Sequence, residues 1–148
     1  MVIVKMEDKM FDKNYVEEVM SESIGTEHWY RRAPFQGFVY TDGVMNVQEK
    51  LNMYWFVDMV ASYMPDVIKD FNKTGESFYV AVLKVNKDHT AKFKIQKEVE
   101  DDNCTYIEIK IAEQDIKYTD LPECEMRFFL ELADCDPVTF CLLCPSEH

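Results

Sequence analysis

The sequence predicts an α+β fold: a mostly antiparallel sheet of about five to six strands, with helices packed on one face. Two observations carry that expectation. Apolar residues recur with a helical period through residues 1–74, and the period changes to two through residues 75–148. A third observation bounds the organisation. With four glycines, five prolines and no low-complexity stretch in 148 residues, nothing has linker composition, so residues 1–148 read as a single domain with a helical first half and a β-rich, acidic second half.

The elements follow in order. Phe11 to Ser23 reads as an amphipathic helix, with Phe11, Tyr15, Val19 and Met20 at helical spacing and Asp12, Glu17, Glu18 and Glu22 on the wet side. Ile24-Gly25 ends it, and Thr26 to Arg32 is a loop that Pro34 keeps extended. Phe35 to Tyr40 is a short strand, and Thr41 or Asp42 caps the helix that follows by accepting from its free N–H groups. That long central helix, Val44 to Met64, is apolar nearly all round in its second half, which predicts cover on most sides. Pro65 ends it and opens a short helical turn to Phe71.

Phe78 to Val85 is apolar on both faces, as a central strand is, and Asn86 to His89 is turn chemistry. Ala91, Phe93 and Ile95 alternate with Lys92, Lys94 and Gln96 in a half-buried strand. After a turn at Glu100–Asn103, Ile107, Ile109 and Ile111 claim the core face and turn Glu108 outward. Met126, Phe128, Leu130 and Leu132 alternate with Arg127 and Glu131, and Val138 to Leu143 is the last strand.

Composition excludes several classes. Apolar residues make up 47% of the chain, so it is no disordered polyelectrolyte. The Met-Val-Ile-Val-Lys5 start is too short an apolar run for a signal peptide, and the run Met53 to Val57 is too short to span a bilayer. The expectation is a cytoplasmic chain with no membrane partner, its five cysteines reduced. Net charge is −12; residues 1–74 hold 8 basic and 12 acidic groups, residues 75–148 hold 8 and 16. Between Glu98 and Asp136, 13 acids face only Lys110, Lys117 and Arg127. Direct nucleic-acid binding, which needs clustered Lys and Arg, is disfavoured, and a protein partner with a basic surface is favoured. The oligomeric state is left open, a homo-oligomer included.

Cys141 and Cys144 have metal-ligand spacing, but in a strand residues three apart point to opposite faces, so neither a metal site nor any cofactor is expected. Phosphate loops, nucleophile elbows and dinucleotide fingerprints are absent from the sequence. Four residues are candidates for carboxylate and imidazole chemistry: Glu27, His28, Asp42 and Asp58, the last interrupting an apolar helical run with Tyr54 and Ser62 one turn away on each side. If catalytic they must converge in one pocket; if structural, Asp58 pairs with Arg31, Arg32 or a backbone N–H. Two sets are candidates for binding: the acids Asp101, Asp102, Glu108 and Glu131, which form one negative face if their strands are neighbours, and the basic aromatic run Trp29, Tyr30, Arg31 and Arg32.

Five blocks in order resemble a family of short uncharacterised bacterial and phage proteins, a domain of unknown function. They are Gly25-Thr-Glu-His-Trp-Tyr-Arg31, Tyr40-Thr-Asp-Gly-Val44, Tyr54-Trp-Phe-Val-Asp-Met-Val-Ala-Ser-Tyr63, Tyr118-Thr-Asp-Leu-Pro122 and Leu142-Leu-Cys-Pro-Ser-Glu147. Cys144 and His148 depart from the pattern, standing where an aliphatic and an aromatic residue are usual. The resemblance implies phage or mobile-element genes as context and no particular activity. It draws attention to Glu27, Tyr30, Arg31, Asp42, Asp58 and Glu147. Together these readings favour a non-enzymatic protein-binding domain, such as an acidic inhibitor of a host nucleic-acid-binding or defence protein. The alternative is a small carboxylate- and His-dependent enzyme.

Overall fold

A computed structural model describes residues 12–148. The expected start of the first helix at Phe11 lies outside the described residues. The helices are α1 (Lys13–Ser21), α2 (Asp42–Lys50), α3 (Tyr54–Ser62) and α4 (Met64–Thr74). The strands are β1 (Trp29–Arg31), β2 (Phe38–Thr41), β3 (Phe78–Val85), β4 (Ala91–Glu100), β5 (Tyr106–Ile116), β6 (Cys124–Ala133) and β7 (Thr139–Leu143). They form one seven-stranded sheet in the order β1-β2-β7-β6-β3-β4-β5. Every neighbouring pair is antiparallel except β2 with β7, which run parallel.

The fold is α+β, as expected, with two corrections. The sheet has seven strands and not five to six, because part of the expected Thr26–Arg32 loop is strand β1, and β2 begins at Phe38 instead of Phe35. The single helix over residues 44–64 is two helices. The chain turns at Leu51-Asn52-Met53, where Asn52 takes the left-handed backbone (φ 53°) and Met53 N–H donates to the Gln48 carbonyl. Leu51 and Met53 both plug into the core, so the break is packed and not frayed. Asn tolerates the left-handed region better than other residues with a Cβ, and helical periodicity cannot reveal such a turn.

The break lets α3 lie over the centre of the sheet. Phe56 packs with its ring centroid 5.6 Å from Phe93 on β4 and 4.8 Å from Phe128 on β6. Beside it, Tyr63 stacks on Phe93 and Phe71 of α4 meets Phe140 of β7 edge-on. Alternation then fixes which side chains point inward: Tyr79, Ala81 and Leu83 on β3, and Met126, Phe128 and Leu130 on β6, are all buried. Lys97, also buried, ties β4 to α4 by bonding both Asp70 oxygens (3.0 and 2.8 Å), while Tyr79 donates to Asp70 at 2.7 Å. Burial alone would raise the Asp70 pKa, but these donors outweigh it and hold it below the ordinary value.

Two further expectations are corrected at the far edge of the sheet. Gln96, expected on the wet side of β4 with Lys92 and Lys94, is buried. The isoleucines of β5 do not all claim the core, since Ile107 and Ile109 are 47% and 41% exposed. β5 is an outer strand, and its register against β4 shifts by one extra residue at Ile111. Beyond that bulge Ala112, Gln114 and Ile116 oppose Ile95, Phe93 and Ala91, and Tyr63 donates to Gln114 at 2.8 Å.

The turn between α2 and α3 is testable by chemical denaturation. Asn52→Ala is expected to cost about 1 kcal/mol, because a Cβ without a locally bonding side chain is strained there. Asn52→Gly should stay within about 0.5 kcal/mol of the parent. Equal costs for both would show that the left-handed turn is not what Asn52 supplies.

Candidate functional site

Because β2 and β7 are parallel, their C-terminal ends lie at the same end of the sheet. The helix that leaves β2 and the residues that follow β7 must therefore meet. Thr41 caps α2 by accepting from Val44 N–H at 3.3 Å, and Gly43 N–H is left free in the first turn. A short 3₁₀ turn, Pro145–Glu147, brings the Glu147 carboxylate to it. Glu147 accepts from Gly43 N–H (3.0 Å), Thr41 Oγ1 (2.6 Å), Thr26 Oγ1 (2.9 Å) and Cys144 N–H (2.9 Å). An anion here is favoured both by the free donors and by the positive end of the helix. Gly43 is required by space: a Cβ on it would overlap the Glu147 carboxylate.

Asp42 faces the other way. Its Oδ2 accepts from the backbone N–H groups of Glu27 (2.9 Å) and His28 (3.0 Å), and its Oδ1 accepts from Tyr30 Oη (3.1 Å). The Glu27 N–H is the largest of several causes that hold the Asp42 pKa below the usual carboxylate value. The same carboxylate pushes the Tyr30 phenol upward. Tyr30 in turn stacks on Tyr40, centroids 5.6 Å apart.

Arg32 completes the arrangement. Its Nε donates to Asp58 (2.7 Å), its other nitrogens to Gln48 Oε1 (2.6 Å) and the Tyr54 carbonyl (3.2 Å), and its guanidinium lies 5.9 Å from the Tyr40 and Tyr54 rings. Burial would lower the guanidinium pKa, but Asp58 and Tyr40 outweigh it and raise it.

The four candidate catalytic groups therefore do not converge as a catalytic set. Glu27 and His28 contribute backbone donors to Asp42, and the His28 ring lies outside, 69% exposed, with Nδ1 3.6 Å from Asp42. Asp58 pairs with Arg32, one of the structural partners expected for it. Its expected burial is corrected: its side chain is 52% exposed. Tyr54, Asp58 and Ser62, spaced by four, form the solvent stripe of α3, so this helix is not covered all round. The segments around Glu27-His28 and Glu147-His148 do meet, through Thr26 and Glu147, but their imidazoles go to different carboxylates. His148 Nε2 lies 2.5 Å from Glu131, and its ring packs edge-on against Phe78 and Phe129.

The candidate acidic face is also corrected. Glu108 is on β5 and Glu131 on β6, with β4 and β3 between them. Asp101 is spent holding its turn, accepting from Asn103 and Thr105 N–H at 2.9 Å each, while Asp102 is exposed. Neighbouring acids pair locally, as in Arg127–Glu125, Lys92–Asp115 and Lys110–Glu113.

The basic aromatic run splits by strand alternation. Tyr30 turns toward Asp42, and Arg32, just past β1, pairs with Asp58, while Trp29 (59% exposed) borders a groove of about 640 Å³ beside β7. Arg31 is exposed. Val39, Cys141 and Leu143 give the groove an apolar lining; Glu131, Asp134 and Glu147 give it negative charge, and no Lys or Arg among the described residues lines it. Burial, helped by Glu147 and Glu131, pushes the Cys141 thiol up to about 12, so it stays protonated at neutral pH and is no nucleophile. Cys144 is buried in the core instead, so the two thiols do not face each other; among the described residues no three His, Cys, Asp or Glu side chains are grouped to hold a metal.

Sequence reasoning missed this groove, because Trp29, Val39, Cys141 and Asp134 come from four separate segments. The alternation of Trp29 and Arg31 against Tyr30 and Arg32 was the one available signal.

Fold and site define a class: an α+β domain in which the carboxylates of Asp42, Asp58 and Glu147 all hold the chain together, beside an acid-lined apolar groove. The chain belongs to a family of unknown function, DUF6876, whose match covers residues 14–148. No curated protein and no solved structure matches it.

The carboxylate at α2 is testable by a double-mutant cycle. Glu147→Ala should cost about 2–4 kcal/mol, since it strands donors from three segments. Gly43→Ala alone should cost about 1–3 kcal/mol through overlap with that carboxylate. In the Glu147→Ala background the Gly43→Ala cost should largely vanish, a coupling of about 1 kcal/mol or more. Additive costs would show that the two residues do not meet.

Proposed function

We propose that this chain is a non-enzymatic protein-binding domain of phage or mobile-element type. It uses the Trp29 groove to hold a basic, partly aliphatic segment of a host protein, as an inhibitor of a nucleic-acid-binding or defence protein does. The observation that carries this reading is the groove itself: an exposed tryptophan, an apolar lining of Val39, Cys141 and Leu143, and negative charge with no cation among the described lining residues. Tryptophan in such a position is the typical anchor of a protein interface. A Lys or Arg side chain suits the place because its methylenes cover the apolar lining while its charge meets Glu131 and Asp134. Rim carboxylates of this kind act mainly on the association rate. The overall charge of −12 favours the same class of partner.

The small-enzyme alternative rests on the one contact between His28 and Asp42. Against it, Asp42 is already occupied by three donors.

Once a partner has been captured from the native host and identified, variants discriminate. Trp29→Ala is expected to weaken binding at least about tenfold, or 1.4 kcal/mol. Glu131→Gln with Asp134→Asn should slow association several-fold and flatten its salt dependence, while Asp101→Asn with Asp102→Asn leaves binding unchanged. A Trp29→Ala variant that binds like the parent removes the groove from the interface. Loss on His28→Ala alone would favour the enzyme reading.

A further inference from the structure

The opposite edge of the sheet has a different character. β5 is an outer strand of eleven residues, and among the described residues no strand pairs with the backbone groups on its outer side. Edge strands are normally kept short, bulged or charged against further pairing. Here the bulge protects only the second half, since the register shift lies between Ile95 and Gln96 of β4 and the extra residue is Ile111. The first half, Tyr106 to Lys110, pairs with β4 without interruption. On it Ile107 and Ile109 are exposed, and so is their neighbour Val99 on β4, 36% exposed and directly opposite Ile107. Ile109 lies opposite Lys97, which reaches back to Asp70 of α4, so this apolar stripe shares the helix-bearing face but runs beyond its cover. Tyr106, 68% exposed, is on the other face.

We propose that the occupant of this edge is the β5 strand of a second copy, antiparallel to the first and centred on Ile109. The sequence is self-complementary about that residue. In that register Ile109 faces Ile109 of the other copy, Glu108 faces Lys110 at both ends of the contact, and Ile107 meets the bulged Ile111, where the pairing ends. Residues directly opposite in an antiparallel pair share a sheet face, so the apolar contacts join the Val99 stripe and the two Glu–Lys pairs lie together on the other face. A two-fold axis perpendicular to the sheet through Ile109 satisfies this, as an isologous dimer requires. Centring one residue later, on Lys110, would place two lysines face to face. Lys110 now lies 3.2 Å from Glu113 with its side chain 55% exposed, so it is free to turn to a new partner. The charge of −12 on each copy opposes association, which leaves the apolar stripe and the local Glu–Lys pairs to carry it.

Sedimentation equilibrium on the intact chain tests this directly. The parent should dimerise at micromolar concentrations. Glu108→Lys and Lys110→Glu each put like charges opposite at two places, and each should weaken the dimer about tenfold or more. The double variant Glu108→Lys with Lys110→Glu restores both pairs and should return the dissociation constant to within about threefold of the parent. Both positions are exposed, and an unchanged circular dichroism spectrum and melting temperature confirm the fold. A parent that stays monomeric at about 100 µM overturns the proposal, as does a dimer that the single variants leave unchanged. A double variant as weak as the singles overturns the register and with it the proposed contact.

Discussion

One carboxylate closes this fold. Glu147 accepts from Thr26, Thr41, Gly43 and Cys144, and three of those partners lie more than a hundred residues away in sequence. The arrangement is a consequence of topology. The parallel pairing of β2 with β7 delivers the end of the chain to the end of the sheet where α2 starts. A helix start offers free N–H groups and positive potential, so the element arriving there does best with an anion. Glycine at position 43 leaves the anion room to approach. With the closing end fixed, Ser146 can bond the carbonyls of Met20 and Ser23, which seats α1 against the same corner.

The groups that look chemical in the sequence are thereby committed. Asp42 holds the Glu27-His28 turn, Asp58 holds Arg32, and Glu147 holds the start of α2. Four of the five sequence blocks singled out at the start supply these contacts, so those blocks describe how the chain is closed. What is left unspent lies on the sheet. The Trp29 groove at one side combines apolar area with acidic side chains and no lining cation among the described residues, and the β5 edge at the other combines apolar area with self-complementary charge. Surfaces of this kind suit the binding role proposed above.

Much of this was legible from local pattern. Strand β3 begins and ends where its apolar run predicts, at Phe78 and Val85, and the Asn86–His89 turn follows it. The cap on α2 was readable from Thr41-Asp42, because capping is a local event. The break at Asn52 was hidden, since both flanking segments keep helical periodicity and the packing of Leu51 and Met53 decides the turn. The outward Ile107 and Ile109 were misread because alternation shows that a strand has two faces, not which length of it the helices cover. The Glu147 contacts were beyond reach for a different reason: they depend on which strands become neighbours, and the parallel β2–β7 pair has no sequence signature of its own.

Native-state hydrogen exchange at two amides examines the closing carboxylate most directly, because it reads those hydrogen bonds without altering a residue. The Gly43 and Cys144 N–H groups both donate to Glu147. If Glu147 closes the fold, both amides should exchange only through global unfolding, with the same opening free energy as the core amides of Leu142 and Ala81. Exchange of either amide by local opening, with a free energy several kcal/mol below the core value, would contradict it, for the end of the chain would then come and go while the sheet stayed folded.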